Sequence, residues 1–318
     1  MKILITGGFG YLGGRLAQHL VSKSNNEIFL GSRIETSPPF WLPEARVVKV
    51  NWQSKKELED MCVGMDAVVH LAGMNAQDCA ADFVGALRAN GVLTASMLQA
   101  SIQQKVKRFI YLSTAHVYSD CLTGVITEQV CPVSTHPYAT SHRAGEDVVY
   151  AAHKRGDIEG VVVRLSNGFG MPAHKNVNCW MLLVNDLCSQ AITNQSMRLR
   201  SSGKQRRDFI TLSDACRAIE HLLKISITQL GDGLFNIGGM WSPALLEMAQ
   251  RIGERVLAVM GNKVNIACGV DQNDTAEGVQ VLNYKIDKLI ATGFNLKLDV
   301  DQELDQLLKF LVKQKIVP

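Results

Sequence analysis

Nothing in this chain of 318 residues suggests a metal centre, a disulfide framework or a membrane span. Its eight cysteines are scattered, with no C-x-x-C pair, which removes the common zinc and redox spacings. No secretory signal peptide opens the chain, so a reduced, cytoplasmic setting is the expectation. No apolar run is long enough to cross a bilayer. The net charge of +3 provides no strong field to attract nucleic acid or a membrane surface. Internal repeats, low-complexity tracts and disordered linkers are also missing. What remains is 47% hydrophobic and 20% charged, the composition of a soluble globular protein. Its length suggests a large core with a second lobe.

The first fifteen residues, MKILITGGFGYLGGR, say most. The apolar run Ile3-Leu4-Ile5 leads into Thr6-Gly7-Gly8-Phe9-Gly10-Tyr11-Leu12-Gly13. This pattern is a buried strand, a glycine-rich turn and the start of a helix. Gly7, Gly10 and Gly13 have the G-x-x-G-x-x-G spacing, where missing β-carbons let backbone and a pyrophosphate approach closely. Leu12, Leu16 and Leu20 share one face of the helix behind it, and its first N–H groups are free to meet an anion. A dinucleotide site is expected here.

From residue 1 to about 170, apolar runs alternate with helical patterns. Strands are expected at Lys2–Thr6, Glu27–Gly31, Val47–Trp52, Ala67–Ala72, Arg108–Thr114 and Gly160–Ser166. Nearly all-apolar strands of this kind belong to a parallel sheet covered on both faces. Ser54-Lys55-Lys56-Glu57 reads as a capping box opening a helix. The fold class expected is α/β, a Rossmann-type doubly wound parallel sheet with a smaller C-terminal substrate-binding lobe. In domain terms, residues 1–170 form the NAD(P)-binding domain, with returning segments at about 205–240. Residues 171–318 are mainly the lobe. Within the lobe a helix is expected over Trp180–Ile192 and a strand and polar turn over Met197–Lys204. A strand should return at Phe235–Gly239, and Ser242 with Pro243 should open another helix.

Further motifs resemble the extended short-chain dehydrogenase/reductases, the nucleotide-sugar epimerase/dehydratase family. The opening turn is similar to the family's TGGxGxxG, and His70–Gly73 resembles its fourth-strand HLAG. Asn90 sits where the next helix usually carries asparagine. Ser113-Thr114-Ala115-His116-Val117-Tyr118 is similar to S-[ST]-x-x-V-Y, and Tyr138 opens a Y-x-x-x-K-like segment. Arg164–Gly170 resembles R-x-x-N-x-Y-G, and Arg207–Ile210 with Asp214 resembles R-D-[FY]-I-x-x-x-D. These matches occur in order along nearly the whole chain.

The resemblance implies hydride transfer between a sugar carbon and a nicotinamide, with Tyr138 as acid/base. The hydroxyl of Thr114, or alternatively Ser113, would share the same sugar oxygen. Implied cofactor contacts are Gly7, Gly10, Tyr11, Leu12, Gly13, Ser32, Arg33, Asn51, Leu71, Ala72, Gly73, Asn90, Tyr138 and His142. Substrate contacts implied are Thr114, Asn167 and Arg207, with Arg207 gripping a nucleotide diphosphate. No metal is expected. Tyrosine, with an ordinary pKa near ~10, is a poor base at neutral pH unless its surroundings lower that value.

The family lysine that does this is replaced by His142, which still shares a helix face with Tyr138. Three readings stay open: a working substitute, a mark of weak catalysis, or a cation supplied by Arg143 or Lys154. At the end of the second strand, Gly31-Ser32-Arg33 has no carboxylate to receive a ribose hydroxyl but has a guanidinium suited to a 2′-phosphate. NADP is therefore the expected cofactor, with NAD the alternative. His174 and Lys175 are weaker candidates, with His174 considered as a second acid.

Ala115-His116 stands where sugar 4,6-dehydratases of the family usually carry Asp-Glu, which disfavours dehydration. Epimerase and keto-sugar reductase remain equally open. An NADP-binding sensor or scaffold without turnover is the reading from another class. Partners expected are a nucleotide sugar and, by resemblance, a second copy paired through helices at about 82–104 and 138–155.

Overall fold

The computed structural model describes residues 1–23, 25–269 and 281–314. Seven strands form its central sheet: β1 Lys2–Thr6, β2 Glu27–Ser32, β3 Arg46–Lys49, β4 Ala67–His70, β5 Arg108–Thr114, β6 Glu159–Leu165 and β7 Leu234–Ile237. Their order across the sheet is β7-β6-β5-β4-β1-β2-β3, and every neighbouring pair is parallel. This is the doubly wound arrangement, with the direction of strand addition reversing between β1 and β4. Alternation along β1 shows why its residues are apolar throughout. Ile3 and Ile5 enter the core on one face while Leu4 enters the core on the other, and all three are fully buried. Each such side chain contributes roughly 1.5–3 kcal/mol by leaving water.

Helices cover both faces. Those that shape the site are α1 Tyr11–Lys23, α2 Lys55–Cys62, α3 Leu93–Gln103, α4 Pro137–Arg155, α5 Leu183–Asn194, α6 Leu212–Lys224, α7 Leu245–Met260 and α8 Val300–Gln314. Ser54 caps α2, its hydroxyl receiving the Glu57 N–H at 3.3 Å. The helix expected over 82–104 is interrupted by a π-helical stretch, Leu87–Val92. Widening the helix there sets Asn90 in the interior, where its carbonyl receives both Thr94 Oγ1 at 2.7 Å and Tyr111 Oη at 3.1 Å. Such bulges recur at functional sites.

Residues 209–237 return to the sheet's layer, α6 packing beside α1 and β7 extending the sheet. A separate apolar core lies under Phe169, Leu187, Phe209, Met248 and Leu304, joining α5, α7 and α8. Two expectations shift here. The helix expected over Trp180–Ile192 begins at Leu183, because Trp180 belongs to the preceding turn and donates its Nε1–H to Lys175 O at 3.3 Å. Ser242 does not cap a helix. Residues 242–244 run extended against 205–207, with Arg207 N–H on Pro243 O and Leu245 N–H on Gln205 O. α7 therefore starts only at Leu245, and the Ala244 N–H is received by Glu247.

Candidate active site

Parallel strands end together, so β1, β4, β5 and β6 deliver their carboxyl ends to one edge. There a cavity of about 540 Å³ opens between the sheet and residues 181–184 and 207–212. It is lined by Gly7, Gly10, Tyr11, Leu12, Gly13, Leu71, Ala72, Gly73, Thr114, Tyr138, His142, Asn167 and Arg207, all of them site residues expected from the sequence.

The turn needs glycine for a steric reason. A β-carbon on Gly13 would lie 2.2 Å from Gly7 O, and one on Gly7 would lie 2.8 Å from Ala72 N. Gly7 also has φ +70°, a left-handed value that favours glycine. The turn can hold its shape beside Leu71-Ala72 only without side chains at these positions. Behind it α1 begins at Tyr11, leaving the first N–H groups of a thirteen-residue helix for an anion. The Tyr11 hydroxyl reaches across to Gly170 O at 2.7 Å, fastening the turn to the lobe.

Asn90 does not line the cavity; it stands behind the lining. Its Oδ1 receives the Met74 N–H at 2.7 Å and its Nδ2 donates to Ser141 Oγ at 3.0 Å. It thereby joins the loop after β4 to α4, which carries Tyr138 and His142. Ser32, Arg33 and Asn51 lie beyond the cavity at the far end of the same sheet edge. Arg33 is exposed and makes no hydrogen bond or ion pair with any described residue. Asn51 is committed locally, with Nδ2 on Glu57 Oε1 at 2.9 Å and Oδ1 receiving the Gln53 N–H.

At the centre, burial pushes the Tyr138 hydroxyl up to about 12, a rise reduced by the neighbouring Thr114 hydroxyl. Ser113, the alternative hydroxyl, also belongs to the cavity lining but is committed to Glu146 at 2.5 Å. Glu146 in turn holds Arg164 through two bonds, making a buried pair behind β5. The His142 ring meets the Tyr138 ring edge-on at 4.6 Å. Its Nδ1 lies 2.9 Å from Tyr111 Oη, which leaves Nε2 as its uncommitted nitrogen. Burial lowers the His142 imidazole to about 4, so at neutral pH it carries no charge. Arg143 cannot replace the missing lysine charge, because it bonds Pro132 O and lies outside the cavity, as does Lys154.

Arg207 is the only charged side chain on the cavity wall among the described residues. Among the described residues no carboxylate pairs with it, and its one side-chain partner is Gln205 Oε1 at 3.1 Å. Asn167 is held beside it through Asp208, donating to Asp208 O at 2.9 Å. Asp208 is itself anchored by the N–H groups of Gly239 and Trp241. Arg206, next in the basic run, faces away onto Ser242 O and Glu247. His174 lies outside the cavity, stacked on Trp41 at 5.4 Å with its Nε2 on Phe9 O, and so is no second acid. Sequence reasoning missed Met74–Gln77, Met181–Val184, His116 and Tyr111. Of these, His116 carried a signal as part of the Ser113–Tyr118 motif, and Tyr111 as a polar atom in a buried strand.

These features define a Rossmann-type protein whose cradle fits a dinucleotide and whose cavity holds a tyrosine–threonine pair. The chain belongs to the NAD dependent epimerase/dehydratase family, whose model matches residues 3–238. Among known proteins it is similar to a dTDP-glucose 4,6-dehydratase of Streptomyces niveus, 26% identical over 268 residues, covering 79% of this chain and 76% of the relative. Its fold matches that of a Bacillus cereus UDP-glucuronic acid 4-epimerase solved with UDP-glucuronic acid and NAD (TM-score 0.79, 20% identity, 99% and 100% of the two chains). It also matches a UDP-N-acetylglucosamine 4-epimerase of Methanobrevibacter ruminantium (TM-score 0.83, 18% identity, 98% of each chain).

Proposed function

We propose that this enzyme interconverts a hydroxyl and a ketone at C4 of a nucleotide-diphosphate sugar, acting as a 4-epimerase. The observation that carries the reading is Arg207, which meets no carboxylate among the described residues, in the same cavity as Tyr138 and Thr114. A half-buried cation without a carboxylate is costly unless an anion joins it, and a diphosphate meets a guanidinium bidentately. Ala115-His116, which puts no carboxylate directly after Thr114, supports this choice over dehydration.

Gly7, Gly10, Gly13, the α1 N-terminus and Leu71–Gly73 would hold the dinucleotide. A bound oxidised nicotinamide supplies a hydride acceptor and a positive charge near the reacting carbon. Thr114 holds the sugar oxygen, and Tyr138 takes its proton on oxidation and returns it on reduction. His142 is neutral, so it serves as a hydrogen-bonding partner for a ribose hydroxyl and not as a cation. Tyr138 then depends for activation on the charge brought by the cofactor itself. Inversion requires the ketone to present its other face before reduction, with Arg207 keeping the diphosphate in place.

A second reading, NADPH-linked keto-sugar reduction, is favoured by Arg33, whose free guanidinium suits a 2′-phosphate. Mass spectrometry of the nucleotide released from freshly purified protein separates them. Near-full NAD occupancy supports the epimerase. An empty protein that takes up NADPH selectively overturns it in favour of the reductase. We also propose a homodimer, supported by the exposed Phe83, Val84, Leu87 and Val92 along the interrupted helix. A monomer in sedimentation at micromolar concentration would remove that part.

A further inference from the structure

Tyr111 is buried on β5 behind the cavity, and its hydroxyl touches three groups. Its Oη lies 3.1 Å from Asn90 O, 2.9 Å from His142 Nδ1 and 3.5 Å from His142 O. Room for it exists because α4 carries no side chain at Gly145, where a β-carbon would lie 2.5 Å from Tyr111 Oη and 2.6 Å from Asn90 O. Burial holds the phenol well above its ordinary range, so it keeps its hydrogen. It has only that one, and a carbonyl oxygen has none to give. The hydrogen therefore points to Asn90 O, since two oxygens 3.1 Å apart with no hydrogen between them repel. Nδ1 must then supply the hydrogen of the 2.9 Å contact and donate to Oη. The buried, neutral imidazole carries a single ring hydrogen, so Nε2 is bare. The ring lines the cavity, and no described residue hydrogen-bonds Nε2.

We infer that Tyr111 is a positioning residue, which fixes His142 in the Nδ1–H tautomer so that a bare Nε2 serves the cavity as an acceptor for a ribose hydroxyl of the cofactor. The inference rests on the cofactor reading proposed above. By resemblance a lysine stands at this position, and an ammonium can only donate. This histidine reverses the direction of the bond, making the ribose hydroxyl the donor. Tyr111 is what makes the reversal definite. An imidazole with no partner at Nδ1 populates both tautomers, and one of them turns an N–H toward the cavity. The same bond fixes the plane of the ring, because Nδ1 is tied to β5 while the His142 backbone belongs to α4.

The test reads the ring nitrogens directly, by nitrogen NMR of cofactor-free protein carrying isotope-labelled histidine. Signals absent from His142→Lys belong to His142. At pH 7 its Nδ1 should show the shift of a protonated nitrogen and its Nε2 that of a bare one. The opposite pattern in the wild type overturns the inference, whether or not any Tyr111 variant folds. Tyr111→Phe should give the averaged shifts of mixed tautomers, and an unchanged pattern there overturns the role of Tyr111. Titration with NAD then separates positioning from a structural effect. Tyr111→Phe should weaken NAD binding by about 3- to 10-fold, the scale of one hydrogen bond. In the His142→Lys background the same substitution should change it by less than about twofold, because lysine has no tautomer to fix. Equal losses in both backgrounds overturn the inference. Failure of the cofactor reading shows separately, as a wild type with the expected ring pattern that binds neither NAD nor NADP.

Discussion

The two walls of the cavity are made differently. One is the carboxyl edge of a seven-strand sheet, where Gly7, Leu71, Thr114 and Leu165 arrive on neighbouring strands or just beyond them. Its polar groups are buried and tied to one another: Asn90 to Met74 and Ser141, Ser113 to Glu146, His142 to Tyr111. The other wall comes from residues 166–168, 181–184 and 207–212, joined by a parallel pairing of 167–169 with 209–211 and by the Asn167 bond to Asp208 O. Its one cation, Arg207, bonds only Gln205 Oε1 among the described residues and meets no described carboxylate. The first wall is tied together by its own side chains, whereas the second keeps its cation open toward the cavity.

Breaking the sheet wall should affect turnover most. Tyr138→Phe removes the acid/base, and kcat should fall by about 10²–10⁴ with cofactor still bound. A sensor would be untouched, so unchanged function in that variant excludes the enzyme reading.

Acid should also act on this wall first. His70 and His142 are held near 3 and 4 by burial, against 6.5 for a free imidazole. The unfolded chain therefore binds their protons at higher pH than the folded one. Stability present above pH 6.5 is lost as pH falls from 6.5 toward 4, with His70 continuing toward 3. The loss is on the order of 3 kcal/mol for His142, readable as a falling denaturant midpoint across that window.

The lobe wall separates from this in Arg207→Ala. Losing charge-assisted bonds of roughly 1.5–3 kcal/mol should weaken nucleotide-diphosphate binding by about 10- to 100-fold and leave cofactor binding intact. Calorimetry with UDP and with the dinucleotide measures both.

The smallest change is expected from His142→Lys. A cation beside Tyr138 favours its phenolate, so the acidic limb of the kcat–pH profile should move to lower pH with cofactor affinity retained. Loss of cofactor binding would instead mean that the Tyr111–His142 bond shapes the site in a way lysine cannot reproduce.

Much of the sheet wall was legible in the chain. Consecutive glycines, all-apolar strands and residues spaced by i and i+4 are local patterns, and the elements they specify stay local when folded. Strand ends were read to within a few residues, and Gly7, Gly10, Gly13, Thr114 and Tyr138 were placed by motif. The lobe was less legible because its pieces pair across distance. Ser242 has the composition of a helix cap, yet pairing of residues 242–244 with 205–207 keeps it extended.

The sequence by itself determined the doubly wound sheet, the glycine cradle and the replacement of lysine by His142, since each is written in contiguous residues. Only the tertiary structure decided the states of the titratable groups. Burial against Tyr111 makes His142 neutral, and the commitment of Ser113 to Glu146 leaves Thr114 as the hydroxyl beside Tyr138. Folding also put His116 on the cavity wall and, among the described residues, left Arg207 without a carboxylate. Protonation and pairing depend on what surrounds a side chain in space, and those neighbours come from segments far apart in the chain.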